Sequence, residues 1–168
     1  MTQLESIKSQ NEKYASGFKD GDLSIHPSKK IAVLACMDAR LNVNELLGLG
    51  IGEAHIIRNA GGIATDDAIR SLIISHELLG TEDFIVINHT DCGMLTFSDQ
   101  ELQKKISEKY NSNASGIVFH SFDGLEENVK KQIDKIRNTP FLRDAASISG
   151  FVYDVRTGRI KEIKLKIY

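Results

Sequence analysis

Ile31-Ala32-Val33-Leu34-Ala35-Cys36-Met37-Asp38-Ala39-Arg40 is the stretch that decides the fold. Residues 31–35 are continuously apolar, which suits a strand covered on both faces of a sheet, and the side chains that carry chemistry begin where that run stops. The pattern recurs downstream. Phe84-Ile85-Val86-Ile87 reads as a second buried run and leads into His89-Thr90-Asp91-Cys92-Gly93. Between the two, a strand over Ala54 to Arg58 runs into the pair Gly61-Gly62, where a tight turn with exposed N–H groups is expected.

Helical patterns alternate with these strands. Residues 42–49 place leucines at helical spacing and are closed by Gly48, Gly50 and Gly52. Thr65 is the expected N-cap of a helix with Asp66 and Asp67 in its first turn and Gly80 as its stop. Residues 95–113 are polar and helical in composition, and Leu125, Val129, Ile133 and Ile136 give the clearest helical period in the chain. Ile148 to Val155, the turn Thr157-Gly158 and Ile160 to Ile167 predict a C-terminal β-hairpin. Alternating strands and helices define an α/β domain with a mostly parallel central sheet flanked by helices, a single unit over residues 1–168. Ligands of such sheets sit outside the carboxyl ends of the strands, where all three clusters fall.

An N-terminal helix over residues 3–19 carries Leu4, Ile7, Tyr14 and Phe18 on one face, interrupted by Asn11. Such a stripe has to cover either its own core or that of a partner.

A chain of 168 residues, 41% hydrophobic and 26% charged, can bury one core without disulfides. Its net charge of −2 and the lack of a basic stripe with interleaved aromatics argue against a nucleic-acid partner. No apolar run approaches the ~20 residues of a membrane span, and residues 1–10 lack the apolar core of a signal peptide, so a cytoplasmic protein is expected. Two cysteines in a reducing compartment are free thiols or metal ligands more often than a disulfide.

His89 and Cys92, three residues apart, converge in a turn, and Cys36 can approach from a neighbouring strand end. Thiolate and imidazole suit zinc, and three ligands without an obvious fourth favour an open, catalytic ion. Asp38 and Arg40 follow Cys36 at intervals of two, which in an extended segment points them to one side. A carboxylate there can accept a hydrogen bond from a metal-bound hydroxide while a guanidinium pins it away from the metal. His26, His55, His76 and His120 read as exposed or structurally satisfied.

Cys36-Met37-Asp38-Ala39-Arg40-Leu41, Arg58-Asn59-Ala60-Gly61-Gly62 and His89-Thr90-Asp91-Cys92-Gly93 resemble the signatures of the β-class carbonic anhydrase family. The resemblance runs from about residue 30 to 94 and resumes loosely at 148–158. It implies a zinc enzyme, one Zn2+ per chain on Cys36, His89 and Cys92, with Asp38 and Arg40 as the catalytic dyad. A zinc-bound hydroxide would convert carbon dioxide to bicarbonate and a proton, with N–H groups near Gly61 and Gly62 holding the anion. It also implies a homodimer or homotetramer in which residues 1–29 lie over the partner subunit. No proton shuttle is assigned; His55 and His76 are candidates by type only. Three alternatives stand beside this reading. The same site serves relatives that hydrolyse carbonyl sulfide or carbon disulfide. A structural zinc would recruit Asp38 as fourth ligand, a role Asp38 would otherwise take only in an inactive low-pH state. Cys36 or Cys92 would instead act as a reactive thiol if no metal binds.

Overall fold

The apolar runs form one sheet. In the computed structural model, which describes residues 1–165, β1 (Ile31–Cys36), β2 (Ala54–Asn59), β3 (Asp83–His89) and β4 (Ser147–Tyr153) are parallel. β5 (Ile160–Glu162) closes the sheet antiparallel to β4, and the strand order is β2-β1-β3-β4-β5. The chain therefore leaves β1 toward one edge and returns to its other side, so the order reverses between β1 and β3. That reversal opens a crevice at the carboxyl ends of these two strands, the place where open α/β sheets bind ligands.

Side chains alternate across β1. Ala32 and Leu34 join Phe84, Val86 and the apolar faces of α3 (Asp66–Glu77) and α5 (Leu125–Arg137) on one side. Val33 and Ala35 join Ile87 and the short α2 (Val43–Leu47) on the other. Both runs are thus covered on two faces, as their continuous apolarity requires. Thr65 caps α3 by accepting from the Ala68 amide, and Ser98 closes a capping box at the start of α4 (Asp99–Tyr110).

Boundaries shift in instructive ways. β1 extends through Cys36 and β3 through His89, so both residues are the last of their strands rather than the first of the loops. Residues 95–113 form a short 3₁₀ turn at Gly93–Leu95 and then α4, not one helix. The last strand ends at Glu162, although Ile163 and Leu165 still pack into the main core; the expected strand residues beyond 165 lie outside the described residues. α1 (Gln3–Ser16) buries none of its residues in this chain, and Leu4, Ile7, Tyr14 and Phe18 stay exposed. Among the described residues no helix is long and apolar enough to cross a membrane.

Candidate metal centre

Three side chains meet at the β1/β3 crevice. The Sγ atoms of Cys36 and Cys92 and a ring nitrogen of His89 all lie within 4.8 Å of one another, and all three residues are buried. The two sulfurs are 4.0 Å apart and unbonded. Sulfurs bound at about 2.3 Å to one tetrahedral ion stand about 3.8 Å apart, so the spacing fits a shared zinc.

His89 supplies an independent test of that fit. Its Nδ1 lies 2.9 Å from the Thr90 carbonyl oxygen, which can only accept, so Nδ1 carries the proton and Nε2 presents a lone pair. Nε2 is the one buried side-chain nitrogen or oxygen without a hydrogen-bond partner among the described residues. An orphaned buried nitrogen is costly unless something binds it. A divalent ion between Nε2 and the two sulfurs would satisfy it, and the partner on Nδ1 is the kind that orients metal-ligating histidines.

The electrostatics also suit a cation. The Cys92 thiol beside Cys36 pulls the Cys36 pKa down, against the cost of burial, and His89 with the backbone amides of Asp38 and Gly61 adds to the effect. Cys92 is pushed up by Cys36, since both sulfurs cannot ionise this close without a cation. Burial alone would lower the pKa of His89, but the negative charge of Cys36 beside it, with the Thr90 carbonyl and Asp38, raises it.

Asp38 and Arg40 do not sit on an extended segment. Residues 37–38 leave the strand and 39–40 turn, so the amide of Arg40 donates to Asp38 Oδ1 (2.9 Å) and that of Leu41 to the Asp38 carbonyl (3.0 Å). The turn brings the guanidinium onto the carboxylate in a fork, Nε to Oδ1 at 2.9 Å and Nη2 to Oδ2 at 2.8 Å. Hydrogen bonding from Arg40 holds the Asp38 carboxyl well below the usual carboxylate range. Its Oδ2 faces the ligand cluster, 3.7 Å from His89 Nε2.

Other residues support the site without having been given a role by the sequence. Arg58 donates from Nε to the Cys36 carbonyl (3.0 Å) and from Nη2 to the Asp38 carbonyl (2.6 Å), fixing the strand end that carries both. Asp91 takes the free side of Arg40, with Oδ2 2.7 Å from Nη1. Met94, Leu95, Phe97 and Phe122 pack with the two cysteines as an apolar wall. Gly61 and Gly62 are buried, not exposed as expected of the turn, because Gly62 presses against the backbone of Cys36 and Ile87. His55 and His76 lie at the opposite end of the sheet. His55 pairs with Ala32, four residues from Cys36 and so about 13 Å along the strand, and bonds Ser75 at 2.7 Å. His76 is tied to the Thr81 carbonyl.

A parallel sheet with two thiols and an imidazole gathered at its crossover point defines a class of protein, the α/β proteins with a Cys2His group that could hold a metal ion. Comparison narrows it. A family model for carbonic anhydrase matches residues 31–160. Beta-carbonic anhydrase 1 of Mycobacterium tuberculosis is 46% identical over 163 residues, covering 97% of this chain and 99% of that protein. The carbonic anhydrase of Streptococcus mutans superposes with a TM-score of 0.93 at 39% identity, covering 98% of this chain and 99% of that one. A carbon disulfide hydrolase of Acidithiobacillus thiooxidans is more distant, at 31% identity over 96% of this chain and 93% of its own. The chain belongs to the carbonic anhydrase family, in its β class.

Proposed function

We propose that the protein catalyses the reversible hydration of carbon dioxide to bicarbonate and a proton, on a zinc ion held by Cys36, His89 and Cys92. The observation that carries this reading is the orphaned Nε2 of His89, aimed between two thiols and facing a carboxylate that Arg40 keeps ionised. Zinc supplies the Lewis acidity that lowers the pKa of water to about 7 and so provides a nucleophile at neutral pH. Asp38 Oδ2 accepts a hydrogen bond from the attacking water and aims its lone pair at the carbon of carbon dioxide. Arg40 holds Asp38 in that orientation and keeps it from turning onto the cluster. Met94, Leu95, Phe97 and Phe122 form a wall that suits a small apolar substrate. Gly61 and Gly62 act in this reading as support for Cys36 rather than as anion donors.

The same reading puts α1 across the partner subunit of a homodimer or larger homo-oligomer, where its exposed Leu4, Ile7 and Tyr14, and Phe18 just past its end, would be covered. A reducing compartment, the cytoplasm, keeps both thiols available. Metal analysis of the purified protein, with stopped-flow carbon dioxide hydration and hydrogen sulfide release from carbon disulfide in parallel, tests the assignment. About one zinc per chain and hydration activity are expected. Zinc-loaded protein that is inert toward carbon dioxide but releases hydrogen sulfide would transfer it to the chemistry of the hydrolases, and activity without metal would overturn it.

A further inference from the structure

Three buried amide side chains, none of them a ligand, connect α5 to the glycine turn beside Cys36. Asn88 Nδ2 donates to the Gly61 carbonyl (2.9 Å), Asn128 Nδ2 to Asn88 Oδ1 (2.6 Å), and Gln132 Nε2 to Asn128 Oδ1 (2.7 Å). Gln132 Oε1 in turn accepts from the Ala64 amide (2.9 Å). The three residues are between 1% and 5% exposed. Both ends of the chain fix its direction. A carbonyl can only accept and an N–H can only donate, so each amide must present its NH2 toward Gly61 and its oxygen toward Ala64, and the orientation of all three follows.

Burying three amides, two of them on the α5 face otherwise built from Val129, Ile133 and Ile136, is costly unless they support something. Residues 61–64 are what they support. Gly61 and Gly62 both take positive φ, 81° and 61°, and the kinked turn needs partners for its backbone groups. Gly62 is jammed against the Cys36 amide and the Ile87 carbonyl, so the turn packs directly on the strand end that carries Cys36. Asn88 also immediately precedes His89. The relay therefore ties together the loop behind Cys36, the strand carrying His89, and α5.

Building on the metal-centre reading, we propose that Asn88, Asn128 and Gln132 are positioning residues that hold the Gly61-Gly62 turn against the Cys36 backbone and so set how tightly the site retains zinc. Partners one step removed from a metal ligand are worth about 10- to 100-fold in metal affinity. The test is zinc affinity by chelator competition on the whole protein, with the thiolate-to-cobalt absorption of the cobalt-substituted form as a second readout. Asn128→Asp keeps size but puts an acceptor where the relay needs a donor, and Gln132→Glu does the same one step further out. Val129→Ala, on the same helix, is the control for general loss of packing. Both relay variants are expected to weaken zinc binding about tenfold or more and to shift the cobalt band, while Val129→Ala leaves both unchanged. If Asn128→Asp does not fold, Gln132→Glu decides alone. A folded relay variant with wild-type zinc affinity and spectrum overturns the proposal, as does an equal loss in Val129→Ala. Absence of carbon dioxide hydration in the zinc-loaded wild type would overturn the function and leave this result standing.

Discussion

Gly62→Ala tests whether the glycine turn supports the metal centre by close approach or only by its backbone conformation. A Cβ at Gly62 would lie 3.0 Å from the Cys36 amide nitrogen, 3.0 Å from the Ile87 carbonyl oxygen and 3.1 Å from the Ala35 carbonyl carbon. All three are backbone atoms of the central strands, so no side-chain rotation relieves the contact. Two penalties act together. The left-handed conformation costs an L-residue about 1–2 kcal/mol, and overpacking against a rigid neighbour about 1–3 kcal/mol. Gly80 separates them, since its φ of +73° is similar but nothing lies within 4 Å of its would-be Cβ. Gly80→Ala should therefore lose only the conformational part. For a chain of 168 residues each kcal/mol moves Tm by about 2–4 °C, so Gly62→Ala should melt about 2–12 °C below Gly80→Ala. Thermal unfolding of both variants, apo and zinc-loaded, measures the difference, and only Gly62→Ala should also bind zinc more weakly. Equal melting temperatures for the two variants would refute the close-approach argument.

Further predictions concern the site and its surroundings. Asp38→Ala and Arg40→Ala should each lower kcat for carbon dioxide hydration by about 100-fold or more with zinc content unchanged; full activity in both would dismiss the dyad. Arg40→Lys should be nearly as damaging as Arg40→Ala, because a lysine cannot reproduce the fork onto Asp38 while reaching Asp91, and kinetics of the two variants side by side check this. His89→Ala should abolish stoichiometric zinc, as read by elemental analysis. Asp99 governs acid stability away from the metal. Ser121 by its side chain and amide, with the amides of Phe119 and His120, holds the Asp99 carboxyl at about 2. A folded pKa below the unfolded value of about 3.9 gives stability that is complete above it and is lost as pH falls toward 2. The deficit of Asp99→Asn relative to wild type should therefore shrink between pH 4 and pH 2 in denaturant titrations.

The strands were legible because burial on both faces leaves a local signature, an unbroken apolar run, and because strand ends mark where side chains must do something else. That was enough to bring Cys36, the Gly61 turn and His89 to one edge. Strand order was not legible, since nothing local says that β3 returns past β2 to lie beside β1. The supporting residues were hidden for a related reason. Asn128 and Gln132 stand one position before Val129 and Ile133, at the border of the apolar stripe, where polar residues usually face water. Their spacing of four was the available signal, but only the partners 40 and 68 residues away give it meaning. On α1 the expected stripe is shorter than the sequence suggested, since the helix ends at Ser16 before Phe18, and this chain alone offers it no cover.

One guanidinium accounts for how the two opening motifs become a single site. Arg40 forks onto Asp38 within its own loop, while Nη1 and Nη2 reach the side chain and carbonyl of Asp91 at 2.7 and 3.0 Å. Asp91 adopts a left-handed φ of +57°, which aspartate tolerates better than most residues, and it lies between His89 and Cys92. The loop that turns two ligands toward the centre thus also delivers a carboxylate and a carbonyl to the residue that orients Asp38. In the proposed mechanism, the loop carrying His89 and Cys92 and the orientation of Asp38 are consequently linked through one side chain. An Asp-x-Arg of little consequence as a surface pair is here anchored from across the crevice, because the guanidinium that makes two hydrogen bonds to Asp38 makes two more to Asp91.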